Sequence, residues 1–272
     1  MTTFPLLKLP ILAQEVVVRQ WDVKLIRKCI FSFERGTDYI GKIKKQIFVP
    51  CNPSYSNQEK QIEEITKTLH SIIRFKTYSF RAVNVGIDSI VNCFLWKYSK
   101  KLEKFQFYQN AVDRQVTVDH LNFLFKEITV VDMVIELKTD TMKLDYKPEF
   151  NYENLNLSFV NSISFDSFLS INCHFVDIRM PKISSEEIIR FIESWMVGNL
   201  ESIVKITFEI TNDVFDEQVV FDHFNDKTTK TQIFDREPLP NEKTILRDDG
   251  FMGHLIFGLR KFEFHYLTEF GM

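Results

Sequence analysis

The side chains that most often bind metals or act as nucleophiles are few in this chain and lie far apart. The sequence has six histidines and four cysteines, and neither set shows a metal-ligand spacing or a Cys-x-x-Cys pair. The densest cluster, His223 with Asp222 and Asp226, lies in a charged stretch that is typical of a solvated surface. No Gly-x-Ser-x-Gly, phosphate-binding loop or paired-glycine fingerprint occurs. The sequence therefore predicts no enzyme, no metal and no cofactor.

Composition argues against two classes of partner. The net charge is −3, and the basic residues form short clusters, such as Lys42, Lys44 and Lys45, rather than the basic stripe of a nucleic-acid-binding protein. No apolar run approaches the ~20 residues that span a membrane, and the start of the chain does not have the pattern of a secretory signal. The four cysteines, with no metal-ligand spacing and no Cys-x-x-Cys pair, favour a reducing compartment. We expect a cytoplasmic or nuclear protein that binds neither nucleic acid nor membrane.

The N-terminal segment 4–35 has more apolar surface than short helices can bury against one another. Pro10 stands where a first-turn proline would start a helix, within the run Leu9 to Leu12. Further along, helical spacing recurs among Leu25, Ile26, Cys29, Ile30 and Phe33. The sequence therefore predicts short apolar helices here, with part of their surface bound by a partner.

This segment resembles an F-box, and more narrowly the F-box of the large nematode family that also has an F-box-associated type 2 domain. The matching positions are Phe4-Pro5-Leu6-Leu7, Leu9-Pro10, Leu12-Ala13, Val17, Trp21, Asp22, Ile26, Phe31 and Arg35. It departs from the family at Val16, Val23 and Phe33-Glu34, where Glu, Pro and Ser-Lys are usual. The resemblance implies docking on the Skp-type linker of a cullin–RING ubiquitin ligase, through Leu9, Pro10, Ile11, Leu12, Val17, Trp21, Ile26 and Ile30.

Beyond residue 45, predicted strands alternate with predicted helices. Residues 39–50 have extended character, and alternating apolar residues predict strands over 105–107, 133–137, 155–159, 176–180 and 204–210. Helical spacing predicts helices over 59–73, 87–98, 118–128, 165–171 and 185–197. Single helices between strands require parallel neighbours, and a step of about 20 to 30 residues is typical of leucine-rich repeats. We predict an α/β protein in which a short N-terminal helical F-box (1–45) precedes a curved, degenerate leucine-rich-repeat-like array of helices and mostly parallel strands (46–272).

Two later phrases resemble the F-box-associated type 2 domain. Ser184 and Glu187 form a capping box, and the helix that follows matches the family at Ile188, Phe191, Ile192, Trp195 and Met196. The second phrase, Arg247-Asp248-Asp249-Gly250, resembles the family's R-x-D-G turn, and Asp-Gly is itself a hairpin signal. We expect a strand pair over 253–257 and 261–266 after it.

The function that the resemblance implies is that of a substrate-recognition adaptor. Its partners would be the Skp-type linker, the cullin scaffold and an unidentified protein substrate, and it would act by proximity. Outward-facing strand positions are the candidate substrate-binding residues: Lys104, Gln106, Glu136, Asn156, Asp177, Arg179, Lys205 and Glu209. Two alternatives stay open. One is a non-catalytic interaction module whose divergent F-box no longer docks, and the other, more distant, is an enzyme hosted on the sheet.

Overall fold

A computed structural model describes residues 28–34, 46–50, 67, 77–113, 116–139, 146–158, 163–212, 215–229 and 239–267. The strands of these residues form one twelve-stranded sheet. They are β1 (Lys28–Glu34), β2 (Gln46–Pro50), β3 (Thr77–Val83), β4 (Lys101–Asp113), β5 (Thr129–Thr139), β6 (Asn151–Ser158), β7 (Asn172–Met180), β8 (Lys205–Ile210), β9 (Thr228–Thr229), β10 (Glu242–Leu246), β11 (Met252–Gly258) and β12 (Lys261–Leu267). The α-helices are α1 (Ile87–Val91), α2 (Val118–Asn122), α3 (Ser185–Met196) and α4 (Glu217–His223).

The sheet is parallel over its first eight strands and antiparallel over the rest. Its order is β2-β1-β3-β4-β5-β6-β7-β8-β12-β11-β10-β9, and from β3 to β8 each strand lies beside the next one in the chain. The last four strands join β8 through β12 as an antiparallel meander. This confirms the predicted α/β class and the parallel pairing.

One face of the sheet forms the core, and the helices lie against it. At β4 to β8 the buried residues follow one spacing, in which the second lies three positions after the first and the third two positions later. The sets are Leu102, Phe105 and Phe107; Val130, Met133 and Ile135; Tyr152, Leu155 and Leu157; Cys173, Val176 and Ile178; and Ile203, Ile206 and Phe208. Rings on the connections pack on this face: Phe168 stacks on Phe150 with 5.5 Å between ring centroids, and Phe191 meets Phe208 edge to face, also at 5.5 Å. The many phenylalanines therefore build an aromatic core.

The four predicted helices within the described residues, 87–98, 118–128, 165–171 and 185–197, are found at the predicted places, but they differ in helix type and length. Helix α3 begins and ends within a residue of the prediction, and its capping box is formed: the Ser184 N–H donates to Glu187 Oε2 at 2.8 Å, and the Glu187 N–H donates to Ser184 Oγ at 3.2 Å. The other connections are shorter. The predicted helix 87–98 divides into α1 and a 3-10 turn, 118–128 into α2 and a π turn, and 165–171 is a 3-10 turn. A short crossover has room for only one or two turns.

Two predictions from local pattern are wrong. The helical spacing of Cys29, Ile30 and Phe33 predicted a helix, but Lys28–Glu34 is strand β1, which pairs with β2 and β3. This stretch is rich in aromatic and β-branched residues that suit a strand, and pairing on both sides overrides the helical pattern. Val204 was expected inward but is exposed, because Ile203 takes the buried position before Ile206.

Most of the predicted F-box lies outside the described residues, as do Phe159 and the predicted helix 59–73 except Lys67, which is helical. The boundary between 1–45 and 46–272 stays a prediction. The extended character predicted for 39–50 is confirmed over β2, Gln46–Pro50.

The C-terminal hairpins form as predicted. Gly250 occupies the turn between β10 and β11 with φ +92°, a left-handed conformation that favours glycine. Strands β11 and β12 pair antiparallel, with Phe262 and Phe264 buried. No helix among the described residues has the length and apolar content needed to cross a membrane.

Candidate protein-binding face

The face of the sheet opposite the helices is polar and carries the eight predicted substrate-binding residues. We call it the polar face and define it by the non-core side chains of β3 to β8 and β12. Strand register places Asn156 beside Asp177, and Arg179 beside Glu209. The eight residues that fall on this face are Lys104, Gln106, Glu136, Asn156, Asp177, Arg179, Lys205 and Glu209. Whether they bind a substrate stays a prediction.

Ion pairs hold the polar face between β7 and β12. The Arg179 guanidinium donates to Glu209 Oε2 through Nε at 3.1 Å and through Nη2 at 2.8 Å. Glu263 accepts from Lys205 Nζ at 2.8 Å and from Lys261 Nζ at 2.5 Å, and His265 Nε2 lies 3.1 Å from it. These basic side chains are therefore already engaged by carboxylates.

The side chains that surround Glu263 lower the pKa of its carboxyl group. Burial of its carboxylate acts to raise the pKa, but hydrogen bonds from Lys205, Lys261 and His265 together outweigh the burial and lower the pKa to about 2. A carboxylate of this kind is ionised at all ordinary pH values and stabilises the junction between β8 and β12.

Asp177 differs from the other acids near it. It makes no hydrogen bond or ion pair with any residue that the structure describes. Desolvation by the surrounding sheet raises its pKa, with the nearby charge of Arg179 lowering it and that of Glu209 raising it further. Two residues earlier in β7, Phe175 is 46% exposed and lies in register between Asn154 and Lys205.

Towards β3 the polar face carries an arginine beside an aromatic ring. The Arg81 guanidinium lies 5.7 Å from the ring centroid of Tyr108, and Gln106 Nε2 donates to the Tyr108 hydroxyl at 3.0 Å. Lys104 stands in register with Asp132. Asp132 in turn accepts from Asn154 Nδ2 at 2.5 Å.

Sequence reasoning missed Phe175, because apolar residues in a strand were assigned to the core. The spacing of buried residues described above could have found it. Cys173, Val176 and Ile178 occupy the three core positions of β7, so Phe175 falls on a position that faces solvent.

The two phrases that resemble the F-box-associated domain meet inside the protein. Arg247, 5% exposed, donates from Nη1 to the backbone oxygen of Trp195 at 3.1 Å and from Nε to Asp249 Oδ1 at 2.9 Å. Its hydrogen bonds lower the pKa of the Asp249 carboxyl. Ile188, Phe191, Ile192 and Trp195 are fully buried. These residues therefore build the core rather than a binding surface.

One further polar cluster has residue types that hydrolases use. His254 Nε2 lies 4.0 Å from Glu242 Oε2, and His254 Nδ1 lies 3.4 Å from Thr244 Oγ1. An acid, a histidine and a hydroxyl in that order resemble a catalytic triad, but the carboxylate lies beyond hydrogen-bonding distance of the imidazole. All three side chains are also buried, with His254 only 3% exposed. Separately, no group of three or more metal-ligating side chains occurs in the described ranges.

Comparison with known proteins links the middle of the sheet to one family. Residues 149–205 match the family model described as F-box associated; this range contains β6, β7 and α3. No curated protein and no solved structure matches the chain. The match supports the relation to the F-box-associated family that the phrase at 184–196 predicted. It does not extend to residues 1–45, where the F-box itself stays a prediction.

Proposed function

We propose that this protein is a substrate-recognition adaptor of a cullin–RING, SCF-type ubiquitin ligase, acting in the cytoplasm or nucleus. The observation that carries the proposal is the F-box-associated match over 149–205. Those residues supply two adjacent strands of the polar face, β6 and β7. An F-box-associated domain suggests a substrate-binding role, and a polar sheet face beside a solid aromatic core is a rigid surface on which to bind a protein.

The proposed mechanism is proximity rather than bond chemistry. The N-terminal residues Leu9 to Leu12, Val17, Trp21, Ile26 and Ile30 would dock on the Skp-type linker, and the polar face would bind the substrate. Because the ligase and the substrate would bind different sites of the same protein, each would meet the other at a raised effective concentration. The chain itself then needs no catalytic residue, metal or cofactor.

We also infer that the parallel part of the sheet is a degenerate array of leucine-rich-repeat type. What supports this is the recurring spacing of buried residues from β4 to β8, because leucine-rich repeats place Leu at those three positions. Aromatic and β-branched residues stand in for most of the leucines here. Arrays of this kind often bind partners along an extended surface.

The experiment that tests the adaptor role is a pull-down of the purified chain with a Skp-type linker. The double variant Leu9→Ala, Trp21→Ala removes two proposed anchors, and Val197→Ala, at a strongly exposed position after α3, is the matched control. We expect the chain and the control to bind, and the double variant to lose binding while its circular dichroism stays that of a folded protein. An intact, folded chain that does not bind overturns the proposal.

One observation favours a second candidate, an interaction module whose F-box no longer docks. Ile30, one of the proposed docking residues, lies in strand β1, where an F-box helix was predicted. The departures at Val16, Val23 and Phe33-Glu34 lie on or near the same stretch. In that case the polar face would still bind its partner, and the linker would not be recruited.

A further inference from the structure

The middle of the polar face, on β5, β6 and β7, has more acidic than basic side chains. The nine side chains of this grid, taken strand by strand, are Asp132, Val134 and Glu136; Asn154, Asn156 and Ser158; and Phe175, Asp177 and Arg179. Three are acids and one is a base. The base, Arg179, is held by Glu209 of β8.

Two of the three acids are available to a partner. Glu136 and Asp177 make no hydrogen bond or ion pair within the described ranges, whereas Asp132 accepts from Asn154. Around Asp177, Lys205 and Lys261 both donate to Glu263; their charges act on the Asp177 carboxylate, but neither makes an ion pair with it. An incoming cation would relieve the unfavourable ionisation that desolvation and Glu209 impose on Asp177.

Phe175 supplies an apolar contact beside that acid. Its ring makes no contact with another ring in the described part of the chain and is 46% exposed. Asn154 and Asn156 lie beside Phe175 and Asp177 in register. Aromatic side chains rimmed by polar groups are common anchors in protein interfaces.

The spacing between Phe175 and Asp177 matches the side-chain spacing of an extended peptide ligand. Phe175 and Asp177 lie two residues apart on one strand, which is about 6.6 Å. Side chains at alternate positions of an extended ligand have the same separation, so one ligand strand can present an apolar residue to Phe175 and a basic residue to Asp177.

We propose that this grid binds an extended, basic segment of a partner protein, with an apolar side chain on Phe175 and a Lys or Arg two positions away on Asp177. The inference rests on the proposed adaptor function, for which it names the class of substrate segment. The charge of the grid is complementary to such a segment and opposes an acidic peptide or a nucleic acid.

A peptide-binding assay with the full chain tests this. The probe is a labelled peptide that repeats Leu-Thr-Lys-Thr, and its matched partner has Glu in place of each Lys. We expect the Lys peptide to bind, with weaker binding at high salt, and the Glu peptide not to bind. Asp177→Asn should weaken binding up to about fivefold, the range for an exposed ion pair, and Phe175→Ala about tenfold.

The control is Glu186→Gln on α3, which removes the same charge from the helix side of the protein and should leave binding unchanged. Equal binding of the Lys and Glu peptides overturns the proposal. So does unchanged binding by both Asp177→Asn and Phe175→Ala, or a chain that self-associates through this face in a manner abolished by Asp177→Asn.

The outcomes separate this inference from the adaptor proposal. Linker binding without a preference for the Lys peptide leaves the adaptor standing and overturns the basic segment. If the chain prefers the Lys peptide but does not bind the linker, the proposal that the grid binds a basic segment is supported and the adaptor proposal is overturned.

Discussion

Arg247 Nη1 donates a hydrogen bond at 3.1 Å to the backbone oxygen of Trp195, 52 positions earlier in the chain. The guanidinium carbon also lies 5.5 Å from the Trp195 ring centroid. This contact joins the end of α3 to the turn between β10 and β11. It therefore ties the parallel half of the sheet to the antiparallel half.

Replacing Arg247 with Met should destabilise the protein by about 2 to 3 kcal/mol, because a buried backbone acceptor loses its charged donor and the Trp195 ring loses its cation. Urea unfolding measures the change. Arg247→Lys should recover only part of it, because an ammonium lacks the planar fork that contacts Asp249 and Trp195 together. Arg260→Met, at an exposed position, is the control. Equal stability of the Met variant and the wild type would contradict the structural role of this contact.

Gly253→Ala should cost about 1 to 3 kcal/mol by overpacking. An added Cβ would lie 2.5 Å from Phe264 Cε2 and 3.2 Å from Trp195 Cη2, and both rings are fully buried. Gly86→Ala is the matched control, because its Cβ would meet nothing within 4 Å and its φ of −62° suits alanine. We expect thermal unfolding to show a lower Tm for the first variant and not for the second. Similar Tm values for the two variants would show that the space around Gly253 can adapt.

Glu263 should make stability fall in acid. Its folded pKa, about 2, lies below the ordinary value of 4.5 for a glutamate, so the stabilisation is fully present above pH 4.5 and is lost as the pH falls towards 2. At about 1.4 kcal/mol for each pH unit, the loss is about 3 kcal/mol. Urea unfolding between pH 7 and pH 2 should show that Glu263→Gln is less stable than wild type at pH 7 and closer to it at pH 2. A difference that is constant across this range would contradict the account.

Asp177→Asn should raise stability slightly at pH 7. The folded-state pKa of Asp177 is raised, so its charged form is less favourable in the folded protein than in the unfolded chain, and this cost disappears as the pH falls through the folded pKa. A higher urea midpoint together with weaker binding of the Lys peptide would mark a residue kept for binding rather than for folding. A lower midpoint would show that Asp177 stabilises the sheet.

Local patterns in the sequence predicted the elements whose determinants are local. Helix α3 was found to within a residue because its capping box and its apolar spacing lie in one short stretch. The buried residues of β5, Met133, Ile135 and Leu137, followed from simple alternation. The same alternation placed all eight candidate residues on the polar face.

The features that the sequence did not predict depend on distant residues. Strand β1 is stabilised by pairing with β3, more than forty positions away, and no local signal reports that pairing. The contact between Trp195 and Arg247 joins two phrases that were each recognised, yet nothing in either phrase indicates that they touch. Phe175 was missed for a different reason: its exposure follows from the spacing of core positions and not from its own hydrophobicity.

The measurement that tests the central claim most directly is size-exclusion chromatography of the intact chain mixed with a purified Skp-type linker. The adaptor account predicts that the two proteins elute together, ahead of either alone, and that Leu9→Ala, Trp21→Ala abolishes the shift without unfolding the chain. Separate elution of the folded chain and the linker at micromolar concentrations would contradict the account.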